Sequence, residues 1–343
     1  MRFPPDPVTS PVSPDSPTSP PPSRVHRVRR FTAWVFGVAS IAVAAPALAG
    51  AGTGLLNFFA AARGHEDVRG VAYGPLERQR FDVYRPGTSQ SDADKPRGSP
   101  LVIFVYGGTW SMGDRGDYRF AGEALAAQGF TVMVIDYRLY PDVRYPAFLQ
   151  DCARAVGYGL EHAAELGADP RRVFLYGHSA GAYNVAMLAL DPRWLAAVGH
   201  APSELAGWVG LAGPYDFLPI GDPTTRLVFD WPTTSPDTQP AAHVADLPRA
   251  LPAFLGAPLE DHVVDPIRNT QGLVDKLRDR GAAVTYRTYG HVGHALLVGS
   301  LAWPLTPFSS VLDDSADFIR ATPPVGADAG SAPLASASGI ARR

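Results

Sequence analysis

The residues best placed to do chemistry are a serine between small neighbours and two later side chains able to activate it. Gly177-His178-Ser179-Ala180-Gly181 follows the short apolar run Arg172 to Tyr176 and precedes the helical-looking Ala180 to Leu190. A turn from strand to helix this tight needs small neighbours, hence Gly177 and Gly181. It lifts the Ser179 hydroxyl clear of a sheet at the start of a helix, where backbone N–H groups and the helix dipole favour developing negative charge. The bland reading makes Ser179 a helix N-cap between turn glycines. The strand–helix context favours the nucleophile. His178 is read as part of the turn rather than as the base, since a side chain adjacent to the nucleophile points away from it.

A serine nucleophile needs a base, and the base needs an orienting carboxylate. On a strand-to-helix elbow they follow in the order Ser, Asp, His. The run Ala250 to Leu255 reads as a late strand and leads through Gly256 to Glu260-Asp261-His262-Val263-Val264. Asp261 therefore stands in the loop where the carboxylate belongs. Glu260 and Asp265 compete, and Asp265, followed by Pro266, better suits a helix cap. The last strand candidate, Val284 to Tyr289, enters Gly290-His291-Val292-Gly293-His294-Ala295. His294, after a glycine and before an apolar helical stretch, is the expected base, with His291 as its competitor. His65, His162, His200 and His243 lack a matching loop.

Acyl transfer places negative charge on a carbonyl oxygen, and backbone N–H donors must reach it unobstructed. Leu101 to Tyr106, an almost purely apolar run, ends in Gly107-Gly108-Thr109-Trp110. The expected oxyanion donors are the N–H groups of Gly108 and Ala180, with Gly107 or Thr109 assisting. An ordinary glycine turn is the alternative.

These residues need a scaffold. Strand-like Gln79 to Tyr84, Leu101 to Tyr106, Thr131 to Tyr137, Arg172 to Tyr176, Gly207 to Leu211, Ala250 to Leu255 and Val284 to Tyr289 alternate with helical spacing. The helical stretches are Tyr118 to Gln128, Ala147 to Leu166, Ala180 to Leu190, Asp265 to Arg280 and Phe308 to Arg320. Such alternation predicts an α/β fold with a mostly parallel central sheet flanked by helices. Polar alternation in Gln79 to Tyr84 predicts an antiparallel edge strand. Pro214 to Val244 breaks the alternation and is expected to form a small cap over the site. Trp231, Phe229 and Trp208 suggest a modest apolar acyl or aryl pocket, with core packing as the other reading.

The 343 residues divide into four expected parts. Residues 1–30 are Pro-rich and then basic, with Arg24, Arg27, Arg29 and Arg30, and are expected to be disordered. Residues 31–62 carry no charge before Arg63. Basic residues before an apolar run mark a signal anchor in the membrane, or a signal peptide cleaved after Ala49 in Ala47-Leu48-Ala49. A buried helix of the domain is the third reading. Either targeted reading puts the main domain outside the cytoplasm, anchored on the periplasmic face of an inner membrane or secreted. Residues 63–321 hold the catalytic domain, and 322–343 a flexible tail. A net charge of −3 gives no electrostatic case for nucleic acid. The lone Cys152 excludes an intrachain disulfide and reads as core filler. No paired metal-ligand spacing occurs, so no metal or cofactor is expected.

From about Val71 to Phe318 the chain resembles the esterase and lipase branch of the α/β-hydrolases. That branch includes the bacterial feruloyl-esterase-like group and, more distantly, prenylcysteine methylesterase and kynurenine formamidase-like enzymes. The resemblance rests on the elbow, on Gln79-Arg80-Phe81-Asp82-Val83-Tyr84-Arg85-Pro86, and on Asp136-Tyr137-Arg138-Leu139-Tyr140-Pro141 running on to Arg144-Tyr145-Pro146-Ala147. It implies an α/β-hydrolase fold with Ser179, Asp261 and His294 as the triad and the glycine loop as the oxyanion hole. The family often has His where this chain has Tyr106; that side chain props the loop, and the Tyr106 hydroxyl is able to substitute. Asp136 and Arg138 read as a charged pair beneath the oxyanion strand. The implied activity is hydrolysis of small acyl or aryl esters. Its rivals are an arylformamidase or amidase with the same triad, and a catalytically dead, membrane-tethered binding protein. Oligomeric state is not legible.

Overall fold

The computed structural model describes residues 53–58, 67–87, 98–247 and 250–327. The expectations for the basic cluster, for most of the apolar run, for the cleavage motif and for the tail beyond residue 327 fall outside these residues. Among the described residues no helix is long and apolar enough to cross a membrane.

In chain order the elements are β1 (Asp67–Ala72), β2 (Arg80–Tyr84), β3 (Ser99–Val105), α1 (Arg119–Ala127), β4 (Thr131–Ile135), α2 (Ala147–His162) and β5 (Ala168–His178). There follow α3 (Ala180–Leu190), α4 (Arg193–Ala196), β6 (Gly207–Leu211), α5 (Pro223–Val228), β7 (Ala253–Pro258), α6 (Gly272–Asp279), β8 (Val284–Tyr289), α7 (His294–Gly299) and α8 (Val311–Ala321). The eight strands form one sheet in the order β1-β2-β4-β3-β5-β6-β7-β8. The pairs β1–β2 and β2–β4 are antiparallel, and every pair from β4 through β3 to β8 is parallel. Helices cover the sheet, so its central strands are continuous apolar runs rather than alternating ones. Residues 101–106 on β3 and its end, and 132–135 on β4, are fully buried. Trp208 on β6 is likewise fully buried against Tyr215, which makes it core and removes it from the expected pocket.

Two expectations about elements need correction. Strand β2 is antiparallel but is not the edge, which belongs to β1. Its residues Phe81 to Tyr84 are buried. The polar alternation misled because its buried members have polar partners: Asp82 takes Arg115 Nε at 2.9 Å, and Gln79, just before the strand, donates to Asp151 at 2.7 Å. A buried polar group so satisfied leaves the same pattern in sequence as an exposed one. The single helix expected over Asp265 to Arg280 is also divided. A π-helical turn, Ile267–Gln271, precedes α6.

The segment from Pro214 to Val244 contains α5 and short 3₁₀ turns between β6 and β7. Tyr183 on α3 ties it down by donating its hydroxyl proton to the Thr238 carbonyl at 2.7 Å.

The approach of α3 to the sheet is closest at Gly181. A β-carbon there would lie 2.0 Å from the Val105 carbonyl oxygen and 2.5 Å from that of Tyr106. Backbone atoms on both sides leave no room to yield. Gly181→Ala is therefore expected to lose about 3 kcal/mol of stability or more, the upper range for forced overpacking. The shift of the urea midpoint at unchanged m-value measures it, and a variant as stable as the parent would contradict this packing.

Candidate active site

Ser179 joins β5 to α3 with φ 54° and ψ −122°, a conformation costly for a residue with a side chain. The backbone accepts it because Gly177 and Gly181 meet across the turn: a β-carbon on Gly177 would lie 2.3 Å from the Gly181 carbonyl oxygen. The Ser179 N–H donates to Leu211 at the end of β6 at 2.9 Å. Its hydroxyl makes no helix-cap bond, which removes the N-cap reading. The oxygen lies 2.8 Å from His294 Nε2.

His294 opens α7, after β8, and its Nδ1 lies 2.7 Å from Asp261 Oδ2. Asp261 follows β7, with its carboxylate almost fully buried. The second oxygen, Oδ1, accepts the N–H groups of Val263 at 2.8 Å and Val264 at 3.0 Å. Burial opposes the charge, but the hydrogen bond and charge of His294, with the two backbone donors, hold this carboxyl below the usual range. The three side chains expected from sequence thus meet at the carboxyl edge of the sheet, with imidazole between hydroxyl and carboxylate. Their competitors go elsewhere. Asp265 Oδ1 accepts the N–H groups of Ile267 and Arg268, the capping role expected of it. Glu260 and His291 are exposed.

His178 is buried, and its Nε2 donates to the backbone carbonyl of His294 at 3.0 Å. Burial, assisted by the nearby His294 charge, pushes its pKa down to about 3, so the ring is neutral.

The glycine loop lies against the nucleophile. A β-carbon on Gly107 would come within 2.9 Å of the Ser179 β-carbon. Gly108, Thr109 and Trp110 all have positive φ, at 127°, 53° and 54°, which turns the loop sharply. The Gly108 carbonyl closes it, accepting from Ser111 and Met112. Among the described residues the N–H groups of Gly108 and Thr109 have no intramolecular acceptor. The Ala180 N–H, at the first position of α3, is one that a helix start leaves unsatisfied. The Gly107 N–H instead faces the Tyr118 hydroxyl, whose pKa burial drives up to about 12 against the effect of that N–H. Of the four expected donors, Gly108, Thr109 and Ala180 remain available.

Beneath the loop lies a network that sequence reading largely missed. Tyr106 donates its hydroxyl proton to Asp136 at 3.0 Å and accepts from Arg78 at 2.8 Å. Arg78 also donates to the carbonyls of Gly113 at 2.7 Å and Tyr137 at 2.9 Å. Arg115 pairs with both Asp136 and Asp82. Tyr106 thus fills the propping role through its hydroxyl. The expected Asp136–Arg138 pair is absent: Arg138 turns to Asp151, donating at 2.7 and 2.9 Å. Residues two apart share a face only while the chain stays in a strand, and β4 ends at Ile135, before the pair.

An aromatic wall adjoins the serine. Tyr183 stands one helical turn after Ser179, and its ring meets Trp110 edge-on at 5.1 Å. Phe229 packs on Trp110 at 4.9 Å and on Phe217 at 5.3 Å. The Trp110 indole N–H donates to Asn184 at 3.0 Å, fastening the loop to α3. Phe229 and Trp110 are nearly fully buried, and Phe217 is partly exposed.

The chain is similar to known ester hydrolases. Residues 81–225 match the BD-FAE family model. A probable isoprenylcysteine alpha-carbonyl methylesterase, ICMEL1, of Oryza sativa subsp. japonica is 31% identical over 45% of this chain and 36% of its own length. The probable carboxylic ester hydrolase LipM of Mycobacterium tuberculosis is 29% identical over 67% of this chain and 56% of its own. Carboxylesterase NlhH of that species is 32% identical over 61% of this chain and 60% of its own. The chain thus spans about a third of the length of the methylesterases, as for the 36% of ICMEL1. Among solved structures, esterase B of Lactobacillus rhamnosis inhibited by a tributyrin phosphonate superimposes with a TM-score of 0.62. That match has 20% identity and covers 78% of this chain and 92% of the other. Apo esterase 2 of Thermogutta terrifontis gives a TM-score of 0.59 at 20% identity, covering 75% and 94%. The elbow, the order of the strands and these solved structures show that the chain has the α/β-hydrolase fold, and in sequence it is similar to esterases of that fold.

Proposed function

We propose that this protein hydrolyses small carboxylic esters through an acyl-enzyme on Ser179. The observation that carries the reading is the His294 imidazole bridging the Ser179 hydroxyl at 2.8 Å and the Asp261 carboxylate at 2.7 Å. His294 accepts the hydroxyl proton as Ser179 attacks the ester carbonyl, and Asp261 fixes the tautomer and stabilises the imidazolium. The N–H groups of Gly108, Thr109 and Ala180 receive the negative charge that develops on the carbonyl oxygen. His294 then gives its proton to the departing alcohol. Water, activated by the same base, releases the acid. The partly exposed Phe217 beside Trp110 offers an apolar surface for a short acyl or aryl group.

Ser179→Ala is expected to lower kcat on nitrophenyl acetate by at least about 10⁴-fold with the fold retained by circular dichroism. Turnover equal to the parent would exclude the assignment. Asp261→Asn is expected to cost about 10³- to 10⁴-fold, because the imidazole loses its tautomer and orientation. Side-by-side assay of an aryl formamide separates esterase from formamidase: the ester is expected to turn over faster.

The pH dependence follows from the same bridge. One proton on His294 removes the base, so log kcat/KM is expected to fall with a slope of about one as pH is lowered. Asp261, held below the usual carboxylate range, stays ionised through that fall. Being depressed in the folded state, its charge stabilises the fold above the ordinary carboxylate range, and this contribution is lost as pH falls through the folded value. A pH–rate profile with a slope near two over the first acid limb would contradict the arrangement.

We also propose that the basic cluster Arg24 to Arg30 and the uncharged stretch after it carry the domain out of the cytoplasm. A reporter fused to the carboxy terminus is expected to be active outside the cytoplasm, and activity confined to the inside would refute this.

A further inference from the structure

We propose that His178 is a positioning residue for the base: wedged between the glycine loop and the start of α7, it holds the His294 backbone so that the His294 ring meets Ser179. The inference rests on the ester-hydrolase reading of the same site. The His178 side chain is 4% exposed. Its Nε2 lies 3.0 Å from the His294 carbonyl oxygen. A carbonyl only accepts, so Nε2 carries the ring proton and Nδ1 is bare. That Nδ1 is buried and has no hydrogen-bond partner. It faces the other half of the machinery, since a β-carbon on Gly107 would lie 3.2 Å from it.

One imidazole therefore touches both moving parts that the reaction must align with Ser179. Its backbone is continuous with the nucleophile, one side of its ring abuts the oxyanion loop, and the other side grips the base. The His178 and His294 ring centres lie 5.0 Å apart, but both nitrogens of His294 are taken by Asp261 and Ser179 and Nε2 of His178 by the His294 carbonyl, so no proton passes between the rings. The role is thus mechanical. The loop before His294 is exposed at His291 and Gly293, so a buried donor reaching from β5 gives the His294 carbonyl a rigid partner. A side chain of similar bulk without a donor would fill the space but release the carbonyl. A misplacement of the base by about 1 Å is enough to lower the rate up to 10²-fold.

Two substitutions separate positioning from packing. His178→Gln places an amide N–H near the former Nε2, whereas His178→Met keeps comparable volume and offers no donor. Steady-state hydrolysis of nitrophenyl acetate by His178→Met is expected to show kcat about 10- to 100-fold below the parent, with KM within about twofold. His178→Gln is expected to recover most of that loss. The far-downfield proton signal of His294 Nδ1–H, held by Asp261, gives a readout independent of any substrate. It is expected to be lost by exchange in His178→Met and to persist in His178→Gln. If both variants melt at equal temperature and His178→Gln is as slow as His178→Met, the donor is irrelevant and the proposal falls. It falls equally if His178→Met retains parental kcat and the downfield signal. A parent that neither cleaves the ester nor is labelled at Ser179 by a fluorophosphonate would refute the esterase reading alone. The downfield signal in the two variants would still decide the role of His178.

Discussion

A serine at φ 54° persists only where its neighbours leave the backbone no alternative, at a cost of about 1–3 kcal/mol. Three contacts supply that constraint. Gly177 and Gly181 close the turn, the Ser179 N–H is fixed to Leu211, and Gly181 presses on the carbonyls of Val105 and Tyr106. The last contact has consequences beyond the elbow. It sets how far the end of β3 stands from the start of α3, and so where the glycine loop leaves the sheet. The proposed nucleophile and oxyanion donors are therefore positioned by one close approach between a helix and a strand. The aromatic packing of Trp110 on Tyr183 continues that contact outward, and the Trp110–Asn184 hydrogen bond fastens it.

A loop with three successive residues at positive φ needs support from below. Arg78, Tyr106, Asp136, Arg115 and Asp82 provide it as one connected group. Two guanidinium groups against two carboxylates leave the group that braces the loop without net charge. Removing one member would strand a buried partner, which costs more than the pair contributes when intact. The Tyr106 hydroxyl is suited to this position because it donates and accepts at once, joining a cation to an anion in the same bond chain.

The elbow and triad were legible in the sequence because each depends on a short local signal. A strand ends and the functional side chain stands in the loop or turn that directly follows; this holds at Ser179 after β5, Asp261 after β7 and His294 after β8. The sheet was legible for a related reason, since a strand buried on both faces must be written in apolar residues, as Leu101 to Tyr106 is. What escaped was set by long side chains. Arg78 and Arg115 reach across several elements to Tyr106, Asp136 and Asp82, and a guanidinium on a flexible stem leaves no spacing to read. The same network hid the true edge strand, because buried Asp82 looks like a solvated residue on paper. Trp208 failed as a pocket residue for the opposite reason. A large aromatic in a β-prone run is equally at home in a core, and only the position of β6 inside the sheet decides.

The two sides of the site are braced in opposite ways, and the chemistry gives a reason. On the oxyanion side the supports are ionised but balanced. On the base side the support, His178, is neutral, its pKa driven down to about 3 by burial. In the proposed mechanism His294 becomes a cation during attack, and its ring centre is 5.0 Å from that of His178. A second positive charge at that distance would oppose the imidazolium by about 3 kcal/mol at an effective dielectric near 20, roughly a hundredfold in rate. A lysine or a solvated histidine in the elbow would impose that repulsion. A buried imidazole supplies the same hydrogen bond without it. Burial at the junction of β5 and α3, which makes the elbow rigid, is therefore also what keeps the neighbour of the base uncharged when the base takes its proton.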